Sequence, residues 1–283
     1  MTQVTNPTTP VTSNPTSGGG SNIIGAQTDN RLNGTQQADI ILTFGGNDVV
    51  AGGGGDDIII SGGGNDSIGG GSGNDAIFTG SGSDAVDGGS GEDRIFGGKG
   101  NDVVSGGDGN DLISGDNGND TVLGGSGNDT VFGGQSSDIV SGGDGSDSLY
   151  GGKGNDTVDG GAGNDFISGD RGSDVLTGGA GSDTFYFAGF GGDFEVDTIT
   201  DFTPGEDKIV LKSGGVLGAL GTGLESSEFI VVSNFNAGSP GTANKLVYDP
   251  QNGVLYFNGT GGVLTIAQLQ PGLTITSNNL ELF

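Results

Sequence analysis

Aspartate returns every nine residues from Asp39 to Asp183 without one insertion or deletion. After Asp39 the series runs Asp48, Asp57, Asp66, Asp75, Asp84, Asp93, Asp102, Asp111, Asp120, Asp129, Asp138, Asp147, Asp156, Asp165, Asp174 and Asp183. Two residues after each stands an apolar side chain, from Ile41 and Val50 through to Leu176 and Phe185. With 66 Gly and a formal charge of -28 in 283 residues, composition alone favours disorder. A disordered acidic tail has no reason to keep such a register. A fixed period means a stack of repeated supersecondary units. Collagen is excluded, because there are only seven Pro and the period is not three.

The unit is G-G-x-G-x-D-x-U-x. Gly stands two before the aspartate except at Gln37 and Ser136. Glycine is needed where the backbone takes positive φ or approaches a ligand closely. Glycines before an acid describe a tight turn whose carbonyls converge: Gly98 and Gly100 before Asp102, Gly107 and Gly109 before Asp111, Gly125 and Gly127 before Asp129, Gly152 and Gly154 before Asp156, Gly161 and Gly163 before Asp165. The x-U-x that follows, with U often β-branched, reads as a short strand with one inward side chain.

The side chains carry a second period of 18. Three residues after the aspartate, alternate units read Leu42, Ile60, Phe78, Phe96, Ser114, Phe132, Tyr150, Ser168 and Tyr186. The other units read Ala51, Gly69, Asp87, Ser105, Leu123, Ser141, Asp159 and Thr177. Two units per coil are therefore expected, with one outer face aromatic and the other small or polar. Leu112 and Phe166 offset the two serine gaps in the aromatic column. Asp108 and Asp116 fall off the register and are expected to be solvated surface charge.

The missing residue types narrow the chemistry. Without His or Cys there is no imidazole base, no Ser-His or Cys-His pair, no disulfide and no thiolate metal site. Eight Lys and Arg against 36 Asp and Glu make nucleic acid and anionic membranes poor partners. No apolar run approaches the roughly 18–20 residues of a membrane span, so no membrane insertion is expected. Cations are the natural partners. Oxygen ligands without nitrogen or sulfur suit Ca²⁺, which tolerates irregular sites better than Mg²⁺.

The unit resembles the nonapeptide of the RTX, or haemolysin-type, calcium-binding repeats, in register over residues 39–186 and, in degenerate form with Ile23 and Leu32 at the U position, back to about Ser21. The resemblance implies an all-β fold, a right-handed parallel β-roll with two nonapeptides per coil. It also implies Ca²⁺ between the turns of successive coils, held by the aspartates from Asp48 to Asp183 and by loop carbonyls such as those of the glycines named above. The register allows at most about 15 ions, and the loops at Gly34–Asp39 and Thr43-Phe44 are degenerate. One aliphatic residue in nine makes a thin core against an ordering cost of about 1–2 kcal/mol per residue. The chain is expected to fold only when calcium binds.

The expected organisation is a flexible Thr/Pro/Ser/Gly-rich tail over 1–20, the roll over 21–186, and a β-rich cap over 187–283. Residues 184–283 hold 12 of the 18 aromatics. Asp201 and Asp207 stand equally for a terminal calcium site or for turns, and the segment 245–259 signals a hairpin. The last residues, Glu281, Leu282 and Phe283, resemble the ending of type I secretion substrates, which accords with an N-terminus lacking a Sec-type signal. The expected protein is secreted or at the cell surface, non-enzymatic and calcium-binding. The serious alternative is an assembly or adhesion module that self-associates through Phe78, Phe96, Phe132 and Tyr150. A cap folded back over that stripe is weighed equally.

Overall fold

The computed structural model describes residues 12–13, 20–188, 196–212, 229–236, 239, 241–259 and 262–282. The 1–20 tail lies almost wholly outside these, as does Phe283. Among the described residues the chain forms two parallel stacks, one of 15 strands and one of 12. As far as Lys208–Leu211, successive strands alternate between the two stacks, so the chain crosses between sheets after each; the next four strands all join the larger stack and Leu280–Leu282 closes the smaller. Partners are 18 residues apart: Ile59 faces Ile77 and Val104 faces Val122. This is a parallel β-solenoid, consistent with the expected β-roll.

The strands form because every second residue has somewhere to go. Most run for six residues, as in Thr121–Ser126 and Thr130–Gln135, with burial alternating strictly at their start. The inward U residues make one continuous column of buried side chains from Ile23 to Phe185, with Leu32 and Ile113 fully enclosed. The outward residues three after each aspartate separate by face as the 18-residue period requires. Phe78 stacks on Phe96 at 5.2 Å and 4° on the 12-stranded sheet, and Phe132 on Tyr150 at 4.9 Å and 10°. Phe166 bridges the Ser168 gap, with ring contacts to Tyr150 and Tyr186 at 5.7 and 5.3 Å.

Strand pairing does not stop at Tyr186. Thr184–Phe187 pairs with Lys208–Leu211, which pairs with Leu280–Leu282. On the other sheet Val175–Ala180 pairs with Asp197–Ile199, which meets Gly262–Gln268. Lys245–Asp249 and Val254–Gly259 form the expected antiparallel hairpin. Its inward residues Leu246, Tyr248, Leu255 and Phe257 join the same core. The described part of the cap thus stacks on the end of the solenoid, and Phe78 and Phe132 keep 40% and 37% of their surface exposed.

Candidate metal-binding edges

Each register aspartate sits where a strand begins, at the exit of a tight turn. Its backbone is fully used: the Asp57 carbonyl, for instance, accepts from the Ala76 N–H at 2.8 Å in the next coil. Its Oδ1 accepts from the N–H of the aspartate one coil earlier. From Asp39 N–H to Asp57 through Asp165 N–H to Asp183, this bond measures 2.7–2.9 Å at every step. The result is two ladders of carboxylates, one along each edge of the roll.

The second oxygen is the telling one. Oδ2 of every register aspartate from Asp48 to Asp183 is buried with no hydrogen-bond partner. The aspartates themselves are at most 3% exposed. A buried ionised carboxylate oxygen with nothing opposite is costly, so it must neutralise or meet a cation. Burial accordingly pushes the carboxyls up, with like charges along the ladder adding and the backbone N–H opposing. They reach about 6 at Asp57, Asp102, Asp111 and Asp129 and about 7 at Asp75 and Asp138.

Most of these oxygens face a glycine-shaped space; before Asp48, Asp66 and Asp84 that place is taken by the buried Thr43, Ser61 and Thr79. A Cβ on Gly124 would lie 2.5 Å from both Asp129 Oδ2 and the Gly142 carbonyl oxygen of the next coil. Oxygens of two successive coils therefore converge there. Among the described residues no three acidic groups gather at one point. An ion would have to take most of its ligands from the backbone, and hard oxygen donors are what the turn offers. The residues present fit a hard cation. The ten glycines expected as carbonyl ligands all take positive φ, from 90° at Gly98 to 142° at Gly163.

The ladders have ends. The aligned position one coil before Asp48 is Asn30, whose Oδ1 accepts from the Ala26 N–H at 3.0 Å. Asp39 Oδ2 is taken by Thr35, through its N–H at 2.5 Å and its hydroxyl at 2.9 Å. At the other end Asp207 accepts from Asp183 N–H at 3.0 Å and Thr203 N–H at 2.7 Å. Asp201 accepts from the Gly178 and Gly179 N–H groups at 2.9 and 2.7 Å. Asp207 thus bonds within its turn through Thr203, and Asp201 bonds across to the preceding coil.

Two features escaped the sequence. The residue before most of the aspartates joins a ladder of its own: Asn119 Oδ1 accepts from Ser137 N–H at 3.1 Å, and Asn128 from Ser146 N–H at 2.7 Å. The frequent Asn-Asp pair was the available signal. Asp108 is exposed as expected, but Asp116 is a correction. It replaces a glycine at φ 70° and is half-buried, and its Oδ1 accepts from the Ser114 hydroxyl at 2.5 Å. Asp170 and Ser168 repeat the arrangement at 2.7 Å. Each serine gap in the aromatic column is thus paired with a left-handed aspartate that the serine holds in place.

With this geometry in view, the RTX calcium-binding nonapeptide repeat family matches the chain at 24–59, 52–86, 87–122, 123–158, 132–167, 150–185 and 159–194. No curated protein matches it.

Proposed function

The chain belongs to the RTX calcium-binding nonapeptide repeat family, and from that premise we propose a secreted, non-enzymatic structural protein whose roll folds when it binds Ca²⁺ outside the cell. The observation that carries the reading is the run of buried, partnerless Oδ2 atoms from Asp48 to Asp183. These aspartates would hold the ions together with loop carbonyls. Calcium supplies the positive charge that lets the ladders stay buried and ionised. Binding only the folded chain, it draws the equilibrium toward the roll. Extracellular modules of this kind bind at about 10⁻⁴–10⁻³ M, above cytosolic calcium levels. Export through a type I machinery, with the chain unfolded inside and folded outside, follows from that difference. The tail over 1–20, the roll over 21–186 and the cap over 187–283 are the units we assign. A calcium titration followed by far-UV circular dichroism tests the reading. A cooperative gain of strand signal is expected; a full signal already present in chelator would sink it.

A second reading has its own support. The exposed aromatic stripe around Phe78, Phe96, Phe132 and Tyr150 is a contiguous apolar surface of a kind that commonly marks contacts. It makes the roll a calcium-dependent assembly or adhesion module. No helix among the described residues is long and apolar enough to cross a membrane.

A further inference from the structure

The two outer faces of the roll differ in charge as well as in shape. The aromatic face, on the 12-stranded sheet, carries Arg94, Lys99, Lys153 and Arg171, all exposed, against two acids, the exposed Asp170 and the half-buried Asp116. The opposite face, on the 15-stranded sheet, carries Asp87, Asp108, Asp144 and Asp159, also exposed. Its other outward positions are small residues, with Val103, Leu123 and Ile139 exposed among them at 52%, 38% and 54%. It is a flat, acidic, partly apolar surface with room for a ridge of rings.

Resting on the reading of the stripe as a contact, we infer that its occupant is the acidic face of a second copy of this chain. Three observations select that partner. Phe78 on Phe96 and Phe132 on Tyr150 stack face to face, so ring edges rather than ring faces point outward and a planar or saccharide ligand finds little to stack on. Stripe against stripe would set the four cations against their own copies, whereas stripe against the acidic face pairs opposite charges. The charges are also commensurate. Asp87 and Asp159 stand 72 residues apart on one face, and Lys99 and Arg171 stand 72 apart on the other, four coils in each case. Two copies side by side without axial offset can satisfy both pairs at once. From Ile60 to Tyr186 the face measures about 20 Å by 35 Å, roughly 700 Å² per partner, close to the ~800 Å² of a standard interface. The contact joins unlike faces, so each pair of copies keeps one free face of each kind and the array grows laterally without closing.

The test is sedimentation velocity on the full chain in calcium, across concentration and salt. The wild type is expected to form a ladder of oligomers that shrinks as salt rises. K99E/R171E and D87K/D159K should each weaken association at least about tenfold, with their calcium-bound far-UV spectra unchanged. An equimolar mixture of the two should regain it, because each then presents what the other lacks. Failure of the mixture to regain assembly overturns the face pairing. So does assembly that ignores both charge reversals but is lost in Phe78→Ser/Phe132→Ser, an outcome that leaves the stripe standing as a contact. A folded wild type that stays monomeric throughout overturns both.

Discussion

The middle of the roll and its two ends place aspartate at the same point of the coil and treat it differently. At Asp129, Oδ1 is bonded and Oδ2 is buried without a partner. At Asp39 and Asp207 both oxygens are bonded, the second by the N–H of the residue four before, Thr35 or Thr203. The strands leading into those end turns, Arg31–Asn33 and Asp197–Ile199, run for only three residues. At these two ends the fourth-preceding N–H turns onto the carboxylate, whereas the equally short strands Ile40–Leu42 and Arg94–Phe96 lead into Asp48 and Asp102, whose Oδ2 atoms stay unpartnered. In the middle, six-residue strands keep Gly125 paired with Gly107 and Gly143, and the carboxylate loses that donor. An aspartate in the register is therefore not in itself a cation site. What sets the middle apart is an Oδ2 that no N–H satisfies.

The largest expected effect is calcium removal. In chelator, hydrogen exchange across 103–135 should become fast while the hairpin at 245–259 stays protected, because its core of Leu246, Tyr248, Leu255 and Phe257 does not depend on buried like charges. Equal protection of the two would erase the contrast. Single carboxylates sharpen it. Asp129→Asn should lower the calcium count by about one or two ions in native mass spectrometry, because a neutral amide is a weaker ligand. Asp207→Ala should leave that count unchanged, yet cost about 1–3 kcal/mol in calcium-saturated denaturation by orphaning buried N–H groups.

Acidity should partly stand in for the ion. Asp57 and Asp75 titrate near 6 and 7 in the roll, against 3.8 unfolded. Without calcium, protonation then favours the fold. That stabilisation is complete below the unfolded value and is lost as pH rises through about 6–7. Strand signal in chelator should grow as pH falls from 8 to 5, while calcium affinity falls over the same range. The smallest effect concerns Asp116→Ala, which keeps a left-handed backbone and loses the Ser114 contact. It should cost about 1 kcal/mol by thermal denaturation with no change in calcium count.

The nine- and eighteen-residue periods already contained the two sheets, the inward column from Ile41 to Phe185 and the outward aromatic column, because in a parallel stack each side chain meets its own copy one coil away. The hairpin at 245–259 was legible too, since its alternation and turn residues are local. What the linear pattern could not contain was the state of each carboxylate. Asp39 stands in a degenerate loop and Asp207 off the register, but nothing in one dimension says which oxygens they satisfy, and Asp108 and Asp116 look alike. Only stacking decides which N–H reaches which oxygen, which glycine position tolerates Asp116 because Ser114 steadies it, and where the ladders close. The periodic sequence determined the coil and the residue type offered at each corner. The tertiary structure decided which corners are left with an unsatisfied oxygen, because hydrogen bonds between coils, unlike the repeat itself, exist only once the coils stack.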